Sequence, residues 1–341
     1  MTDAHPSHTH QPSGNAGPHS GPHRHRPALP LRIGTRASPL ALVQTRDFMR
    51  TIGHFCPVLR GMEVFEEHHI KTTGDAVLDR PLAEIGGKGL FAKEIHEALA
   101  DGRVDFAVHS LKDLETVMPP GIVLACTLRR EDHRDALILG PRASKPDPAD
   151  PFACLPQGAV VGSSSVRRQA QMLHRRPDLN FQLLRGNVQR RLDRTRAGDF
   201  DATLLANAGL RRLGLGGEVD VLIAPEIMLP AACQGIVGVT ARESDVELLA
   251  LLSGIEDPES RAVALAERAL LRELDGSCRT PIGGLARMMP DKTLHLEGLV
   301  ARGDGSFVLR RSIVGLPADA ERMGRELGQS LRADSPADIF V

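Results

Sequence analysis

The chain has 341 residues, of which 41% are apolar and 25% charged, so it is long enough for two or three domains with separate buried cores. Its net charge of -1 argues against a polycation that binds nucleic acid or membranes, and the lack of Trp and Tyr argues against a stacking surface for bases. No apolar stretch approaches the roughly 20 residues that span a bilayer.

Five cysteines are widely spaced and form no CxxC pair, so the sequence predicts neither a disulfide framework nor a zinc site. No apolar segment typical of a secretory signal follows the start, which makes the cytoplasm the expected compartment. The cysteines are Cys56, Cys126, Cys154, Cys233 and Cys278.

Residues 1–29 are rich in His, Pro, Gly and Ser and have no apolar periodicity, which predicts a disordered tail. Its histidines could bind metal adventitiously. A solvated extension with no metal is the simpler interpretation.

The folded part is expected to begin with a strand at Leu31–Thr35, followed by a helix that Ser38 caps and Pro39 opens. Apolar residues recur at helical spacing from Leu90 to Asp101, and Gly102 is a typical stop. The order of strand, loop and helix indicates doubly wound α/β units, which bind ligands beyond the carboxyl ends of their strands.

A buried strand predicted at Asp105–Val108 runs into the polar stretch His109–Asp113. A carboxylate in that place could be partly desolvated, so Asp113 is a candidate proton donor or stabiliser of a developing cation. A plain salt bridge between Asp113 and Lys112 is the alternative.

The crowding of Pro, Asp and Ala at Pro141–Pro156 predicts a break, after which a second α/β section runs from Gly158 to about Ile227. Asp257 and Pro258 then predict a helix start, and short strands from Thr293 to Val314 before a final helix indicate a small α+β domain.

Basic residues concentrate between Gly162 and Arg212, where eleven arginines face four aspartates. Small hydroxyl residues before a helix leave backbone N–H groups that favour an anion, and arginines add bidentate donors for carboxylate or phosphate. Three strand-to-helix junctions supply these arginines, and in a parallel sheet all three open on one edge. Helices that carry solvated arginines are the alternative. The anion-binding candidates are Ser165, Arg167, Arg168, Arg185, Arg191 and Arg212, with Arg36 and Lys88 from the first section.

Cys278 lies in a loop of Gly, Ser and Pro directly after a helix, and its neighbour Arg279 would favour the thiolate. The alternative is a structural cysteine, which a lone loop cysteine is more often than a reactive one.

Taken together, these segments resemble the porphobilinogen deaminase (hydroxymethylbilane synthase) family across residues 31–341. Seven motifs occur in the family's order: 32–40, 86–91, 109–113, 130–132, 162–168, 184–188 and 278–283.

The resemblance implies two doubly wound α/β domains similar to the lobes of periplasmic-type binding proteins, and a small C-terminal α+β domain. The expected division is a tail at 1–29, domain 1 at 30–128 with 236–254, domain 2 at 129–235 and domain 3 at 257–341. It also implies a monomer that binds neither nucleic acid nor membrane.

The resemblance further implies a transferase of tetrapyrrole (haem) biosynthesis that joins four porphobilinogen molecules head to tail into hydroxymethylbilane and releases ammonia. Cys278 would hold a dipyrromethane cofactor through a thioether, and Asp113 would be the catalytic carboxylate. No metal is implied. The acetate and propionate side chains would be bound by Arg36, Ser38, Lys88, Ser165, Arg167, Arg168, Arg185, Arg191 and Arg212.

The sequence departs from the family pattern at four positions. Glu84 stands where Lys is usual, Glu115 and His133 where Pro is usual, and Cys233 where Gly is usual.

Two other classes of function compete with the enzyme. A non-catalytic two-lobed binding protein would leave Cys278 and the third domain unexplained. A nucleic-acid binder that uses the arginine-rich region would show steep salt dependence.

Overall fold

A computed structural model describes residues 1–2, 29–60, 64–77, 89–274 and 280–340. The predicted tail therefore lies almost wholly outside the described residues, and so do Glu84, Lys88 and Cys278.

The described strands form two large sheets and one small one. In chain order they are β1 (Leu31–Arg36), β2 (Phe65–Ile70), β3 (Phe106–Ser110), β4 (Ile122–Thr127), β5 (Asp135–Leu139), β6 (Val160–Ser163), β7 (Asn180–Leu183), β8 (Ala202–Ala206), β9 (Val221–Leu222), β10 (Val237–Arg242), β11 (Ile282–Met288), β12 (Leu294–Ala301) and β13 (Val308–Gly315).

Helices alternate with strands through the first two-thirds of the chain. In chain order the described α-helices are α1 (Pro39–Phe55), α2 (Thr73–Ala76), α3 (Lys93–Ala100), α4 (Val166–Arg175), α5 (Val188–Arg196), α6 (Asn207–Arg212), α7 (Val246–Ser253), α8 (Pro258–Glu273) and α9 (Ala320–Ala333). None of the helices in the described part of the chain combines the length and the apolar character that a membrane crossing needs.

The first sheet has the strand order β2-β1-β3-β10-β4. β1 is parallel to β2 and β3, whereas β10 is antiparallel to both of its neighbours. The core of this sheet includes Phe48 and Ile52 of α1, which pack with Ile33, Phe106 and Val239 from the strands. Burial of this apolar surface holds α1 against the sheet.

The second sheet has the order β7-β6-β8-β5-β9. β7, β6 and β8 are mutually parallel, and β5 runs antiparallel to β8 and β9. The three strands that precede the arginine-bearing segments are thus the parallel ones, as the sequence pattern requires.

The third sheet is the antiparallel meander β11-β12-β13, against which α8 and α9 pack. Its core joins Leu270, Leu296 and Leu327 to Leu111 and Ile236, which flank the edge of the first sheet. The fold class is therefore the predicted one, with two α/β units followed by a small α+β unit.

Most predicted elements agree with the structure to within one or two residues, but two differ. The predicted helix from Leu90 begins only at Lys93, because Gly89 turns with φ +78° and the Leu90 carbonyl accepts a hydrogen bond from Gly74 N–H at 2.8 Å. The predicted strand ending at Val108 continues through His109 to Ser110, since β10 pairs with both residues.

Candidate active site

The candidate site forms where the edges of the first and second sheets face each other. β1 and β3 bring Arg36 and the turn Leu111–Asp113 to one edge, because the carboxyl ends of parallel strands share an edge. β5 is antiparallel, so its first residue, Asp135, pairs with Ala206 at the carboxyl end of β8 and reaches the facing edge.

Asp113 lies at this edge with 30% of its side chain exposed, so it remains accessible to a ligand. Its Oδ2 is 3.7 Å from Nη1 of Arg36. The guanidinium of Arg36 stacks over the Phe91 ring at 4.2 Å and also donates to Asp75. Arg36 is therefore fixed by three contacts and holds a cation beside Asp113.

Asp75 is the tighter partner of Arg36. Burial alone would raise the pKa of the Asp75 carboxyl, but hydrogen bonds and charge from Arg36 outweigh it and lower that pKa. Thr72 donates a further hydrogen bond to Asp75 at 2.7 Å. Asp75 is thus an ionised anchor for Arg36, and the local sequence pattern did not mark it.

Lys112 is not the ion-pair partner of Asp113 within the described residues. Its Nζ instead donates to Oε1 of Gln234 at 3.3 Å. Burial disfavours the ammonium and lowers the pKa of Lys112 to about 8, while Asp113 opposes that shift and Arg168 adds to it. The alternative of a simple Lys112–Asp113 salt bridge is therefore not supported by these contacts.

Arg167 and Arg168 meet the buried carboxylate of Asp135, at 2.9 Å and 2.7 Å. Burial would raise the pKa of Asp135, but the two guanidiniums lower it far below its usual range. Arg168 also donates to the Leu204 carbonyl and Arg167 to the Leu229 carbonyl. This pair is a fixed cationic wall rather than a set of solvated side chains.

Ser165 caps α4 by accepting from Arg168 N–H at 3.4 Å, and Ser38 caps α1 by accepting from Ala41 N–H at 3.3 Å. Both hydroxyls therefore start helices, as predicted. A helix start presents N–H groups and positive potential to an anion.

Arg185 and Arg191 belong to the same cationic group. Arg185 donates to the Gly74 carbonyl at 3.0 Å, which joins the second sheet's edge to α2 of the first unit. Burial, and then the like charges of Arg168 and Arg185, lower the pKa of Arg191 to about 10, whereas Asp113 opposes that shift. These arginines repel one another, and a ligand with several carboxylates bound between them would offset that repulsion.

Arg212 is placed apart from this group. It lies in the last turn of α6, not at the strand-to-helix junction, and donates to the Gly235 carbonyl at 2.8 Å. The charges that act on it come from Glu131 and Asp47.

Sequence reasoning missed Asp135 and Gln234. Gln234 Nε2 donates to Asp135 at 2.9 Å and to the His133 carbonyl, and Gln234 Oε1 accepts from Lys112, so one amide connects the two edges. The antiparallel directions of β5 and β10, which bring both residues here, leave no local signal in the sequence.

Three departures from the family pattern surround the site. Glu115 Oε2 is 3.4 Å from Nδ1 of the buried His96. Burial, and then the charge of Arg130, lower the pKa of His133 to about 4, so His133 is neutral near pH 7. Cys233 is 2% exposed with φ +62°, and burial raises the pKa of its thiol to about 12.

Comparison with known proteins agrees with the motif order. The family model described as "Porphobilinogen deaminase, dipyromethane cofactor binding domain" matches residues 31–250, and "Porphobilinogen deaminase, C-terminal domain" matches residues 261–333.

Among curated relatives, porphobilinogen deaminase of Paracoccus denitrificans is 48% identical over 317 residues, covering 92% of this chain and 97% of that protein. The chloroplastic porphobilinogen deaminase of Oryza sativa subsp. japonica is 44% identical over 316 residues, covering 91% of this chain and 85% of the relative. Among solved structures, a periplasmic binding protein of Salmonella typhimurium aligns with 13% identity and a TM-score of 0.37, over 72% of this chain and 98% of that one.

Proposed function

Because the chain belongs to the porphobilinogen deaminase family, we propose that it joins four porphobilinogen molecules head to tail into hydroxymethylbilane, with release of ammonia. The chain is an enzyme of tetrapyrrole synthesis that carries the dipyrromethane-cofactor-binding domain of that family. The observation that best supports the proposal is the accessible Asp113 carboxylate beside a wall of buried arginines.

Asp113 is the proposed catalytic residue. Loss of ammonia from porphobilinogen leaves a cationic carbon, which a nearby carboxylate stabilises more than it stabilises the same carbon, still uncharged, in the bound substrate. Nη1 of Arg36 is 3.7 Å from Oδ2 of Asp113, which is longer than a hydrogen-bonded ion pair, so the carboxylate keeps free acceptor capacity for the substrate.

The cationic residues are proposed to bind the acetate and propionate groups. Each pyrrole adds two carboxylates, so a growing chain needs several guanidiniums at different depths. Arg167 and Arg168 are locked by Asp135, and Arg185 by Gly74, which makes them positioned donors rather than mobile ones. In the same proposal the cofactor is contacted by Lys88, Ser165, Arg167, Arg168, Arg185 and Arg191, and the substrate by Arg36, Ser38 and Arg212.

Cys278 is proposed to hold dipyrromethane through a thioether, as the resemblance implies. When bound, this group supplies the primer pyrrole that accepts the next unit. Covalent attachment would hold the accepting ring in place and remove one association step.

The molecular setting is also proposed. We infer a cytoplasmic monomer that acts on a small-molecule pyrrole and binds neither nucleic acid nor membrane. The proposed division is domain 1 at 30–128 with 236–254, domain 2 at 129–235 and domain 3 at 257–341.

Two variants test the assignment. Asp113→Ala should retain the intact-mass increment of the bound cofactor but lose turnover of porphobilinogen by a factor of roughly 100 or more. Asp101→Ala, which removes a well-exposed carboxylate from the same unit, is the matched control and should be unaffected. Near-normal turnover of Asp113→Ala would show that the carboxylate is only structural.

Cys278→Ala should show only the mass of the polypeptide, whereas the unaltered protein should carry the extra mass of dipyrromethane. Brief exposure of the unaltered protein to porphobilinogen should add mass to it in steps of one pyrrole. A Cys278→Ala protein that still polymerised porphobilinogen normally would contradict the proposal.

A further inference from the structure

A second arginine cluster lies on α8, away from the candidate active site. Arg261, Arg268 and Arg272 are spaced seven and four residues apart, so they lie on one face of the helix. They line a cavity of about 370 Å³ between α8 and the segment that follows Asp113. Apolar side chains complete the wall: Val117, Met118, Leu124, Ala264 and Leu265.

Arg268 is the residue that requires an explanation. It is 7% exposed, yet none of the described carboxylates forms an ion pair with it. Among the described residues, its Nη2 donates to the carbonyls of Glu115 at 2.6 Å and Thr116 at 3.3 Å. Carbonyl dipoles satisfy the hydrogen bonds of a guanidinium but leave its charge uncompensated, and buried charges in proteins are normally paired.

The neighbouring charges do not provide that compensation. Arg261 pairs with Glu256 at 3.6 Å in a partly buried position. Arg272 pairs with Glu321 at 3.4 Å in a solvent-exposed position, where such pairs are weak. Burial lowers the pKa of Arg268, and the like charges of Arg272 and Arg261 lower it further. Three arginines therefore line the cavity, and in the part of the chain that the structure describes the buried charge of Arg268 has no carboxylate partner.

The Glu115 carboxylate does not fill this role. Its Oε2 lies 3.4 Å from His96 rather than against Arg268, and it attracts Arg268 only at longer range. The cavity also contains none of the residues proposed for porphobilinogen or dipyrromethane.

We propose that this cavity binds a compact organic anion, a monocyclic molecule with a carboxylate and an apolar body. The carboxylate would accept from the guanidiniums of Arg268 and Arg272, and the ring would pack on Leu265 and Met118. The volume lies at the lower end of small-molecule sites, which favours a single ring over a tetrapyrrole.

Binding in this cavity would also affect the catalytic loop, the segment from Asp113 to Thr116. Arg268 and Arg272 now hold the Thr116 carbonyl, three residues after Asp113, and a carboxylate would compete for the same N–H donors. A ligand here should therefore change turnover, a consequence that rests on the proposed function.

The binding test uses the full-length protein with ¹³C-methyl-methionine, in which the Met118 signal is assigned by Met118→Leu. Benzoate should shift this signal saturably, whereas the neutral isostere benzamide should not. Inorganic phosphate, which lacks the apolar body, should bind more weakly. Equal shifts with benzamide or equal affinity for phosphate would overturn the assignment.

Variants locate the site without depending on the buried Arg268, whose replacement could unfold the protein. Leu265→Asp and Arg272→Gln, at partly exposed positions, should each weaken benzoate binding by about tenfold or more. Arg322→Gln removes an arginine from an exposed pair on α9 and should leave the affinity unchanged. Unaltered affinity in Leu265→Asp would refute the site.

A second experiment measures the effect of the ligand on turnover. Benzoate should change the rate of porphobilinogen consumption in the unaltered protein but not in Leu265→Asp, which removes any contribution from benzoate in the main cleft. Binding without a difference between the two proteins would refute the link to the catalytic loop. Complete inability to consume porphobilinogen would instead refute the proposed function, and the Met118 titration would still decide the site.

Discussion

His109 shows how one buried group makes stability depend on pH. Its ring lies in β3, 2.9 Å from the Thr240 hydroxyl, with His96 at a ring distance of 5.8 Å. Burial, and then electrostatic interactions with His96 and Arg36, lower the pKa of His109 to about 3. The folded protein therefore holds this imidazole neutral.

Acid should weaken the fold through this residue. An unfolded histidine binds a proton below about pH 6.5, whereas His109 in the folded chain does so only near pH 3, so stability is lost as the pH falls through this window. One proton corresponds to about 1.4 kcal/mol of unfolding free energy per pH unit. Urea unfolding from about pH 7 to about pH 4 should show a shallower dependence in His109→Gln than in the unaltered protein.

His54→Gln is the control for this series, because His54 is exposed in the last turn of α1 and pairs with none of the described carboxylates. It should leave the pH dependence almost unchanged. Parallel curves for His109→Gln and the unaltered protein would mean that the ring is protonated in the fold.

At the residue scale, the sequence predicted side chains that follow parallel strands and missed those that precede antiparallel ones. Asp113 follows β3 of the first sheet and Arg185 follows β7 of the second, so the edge of its own sheet on which each lies follows from local order. Asp135 and Gln234 reach these facing edges only because β5 and β10 run the other way. Strand direction depends on long-range pairing, which the local pattern does not contain.

At the scale of elements, the connection 230–236 between the second and first sheets contains a strained position. Cys233 has φ +62°, the left-handed region that glycine adopts at little cost. The sequence marked this residue as a departure from a usual Gly, and the backbone shows why Gly suits it. The buried thiol is retained among Leu111, Ile236 and Ala264.

Cys233→Gly should be more stable than Cys233→Ala by about 1 kcal/mol, because both lose the thiol but only glycine relieves the backbone. Chemical unfolding of the two variants side by side measures the difference. At a buried site with negative φ the alanine variant would instead be the more stable of the two. Greater stability of the alanine variant would show that the turn relaxes.

At the scale of the whole molecule, one buried ion pair joins the three units. Glu267 of α8 accepts from Arg130 at 2.7 Å, from Ala286 N–H of β11 at 2.6 Å and from Cys233 N–H. Arg130 also donates to the Gln234 carbonyl at 2.8 Å. Both connections between the large sheets are therefore held by the third unit.

Glu267→Gln should destabilise the protein by about 3–5 kcal/mol, because it leaves the Arg130 guanidinium buried without its counterion. Glu267→Gln combined with Arg130→Met should cost less than the sum of the two single changes. Urea unfolding of the four proteins gives the coupling. The control is Glu326→Gln, which breaks an exposed ion pair and should change stability by less than about 0.5 kcal/mol. If the effects of Glu267→Gln and Arg130→Met simply added, the two residues would not be coupled.

The position of β10 also has a consequence for synthesis on the ribosome. This strand lies between β3 and β4, yet it is translated only after every strand of the second sheet. The second sheet, contiguous from β5 to β9, can close while the first still has a gap, so the units are not completed in the order of translation. A nascent chain interrupted before Val237 would expose the facing edges of β3 and β4, and open strand edges promote aggregation.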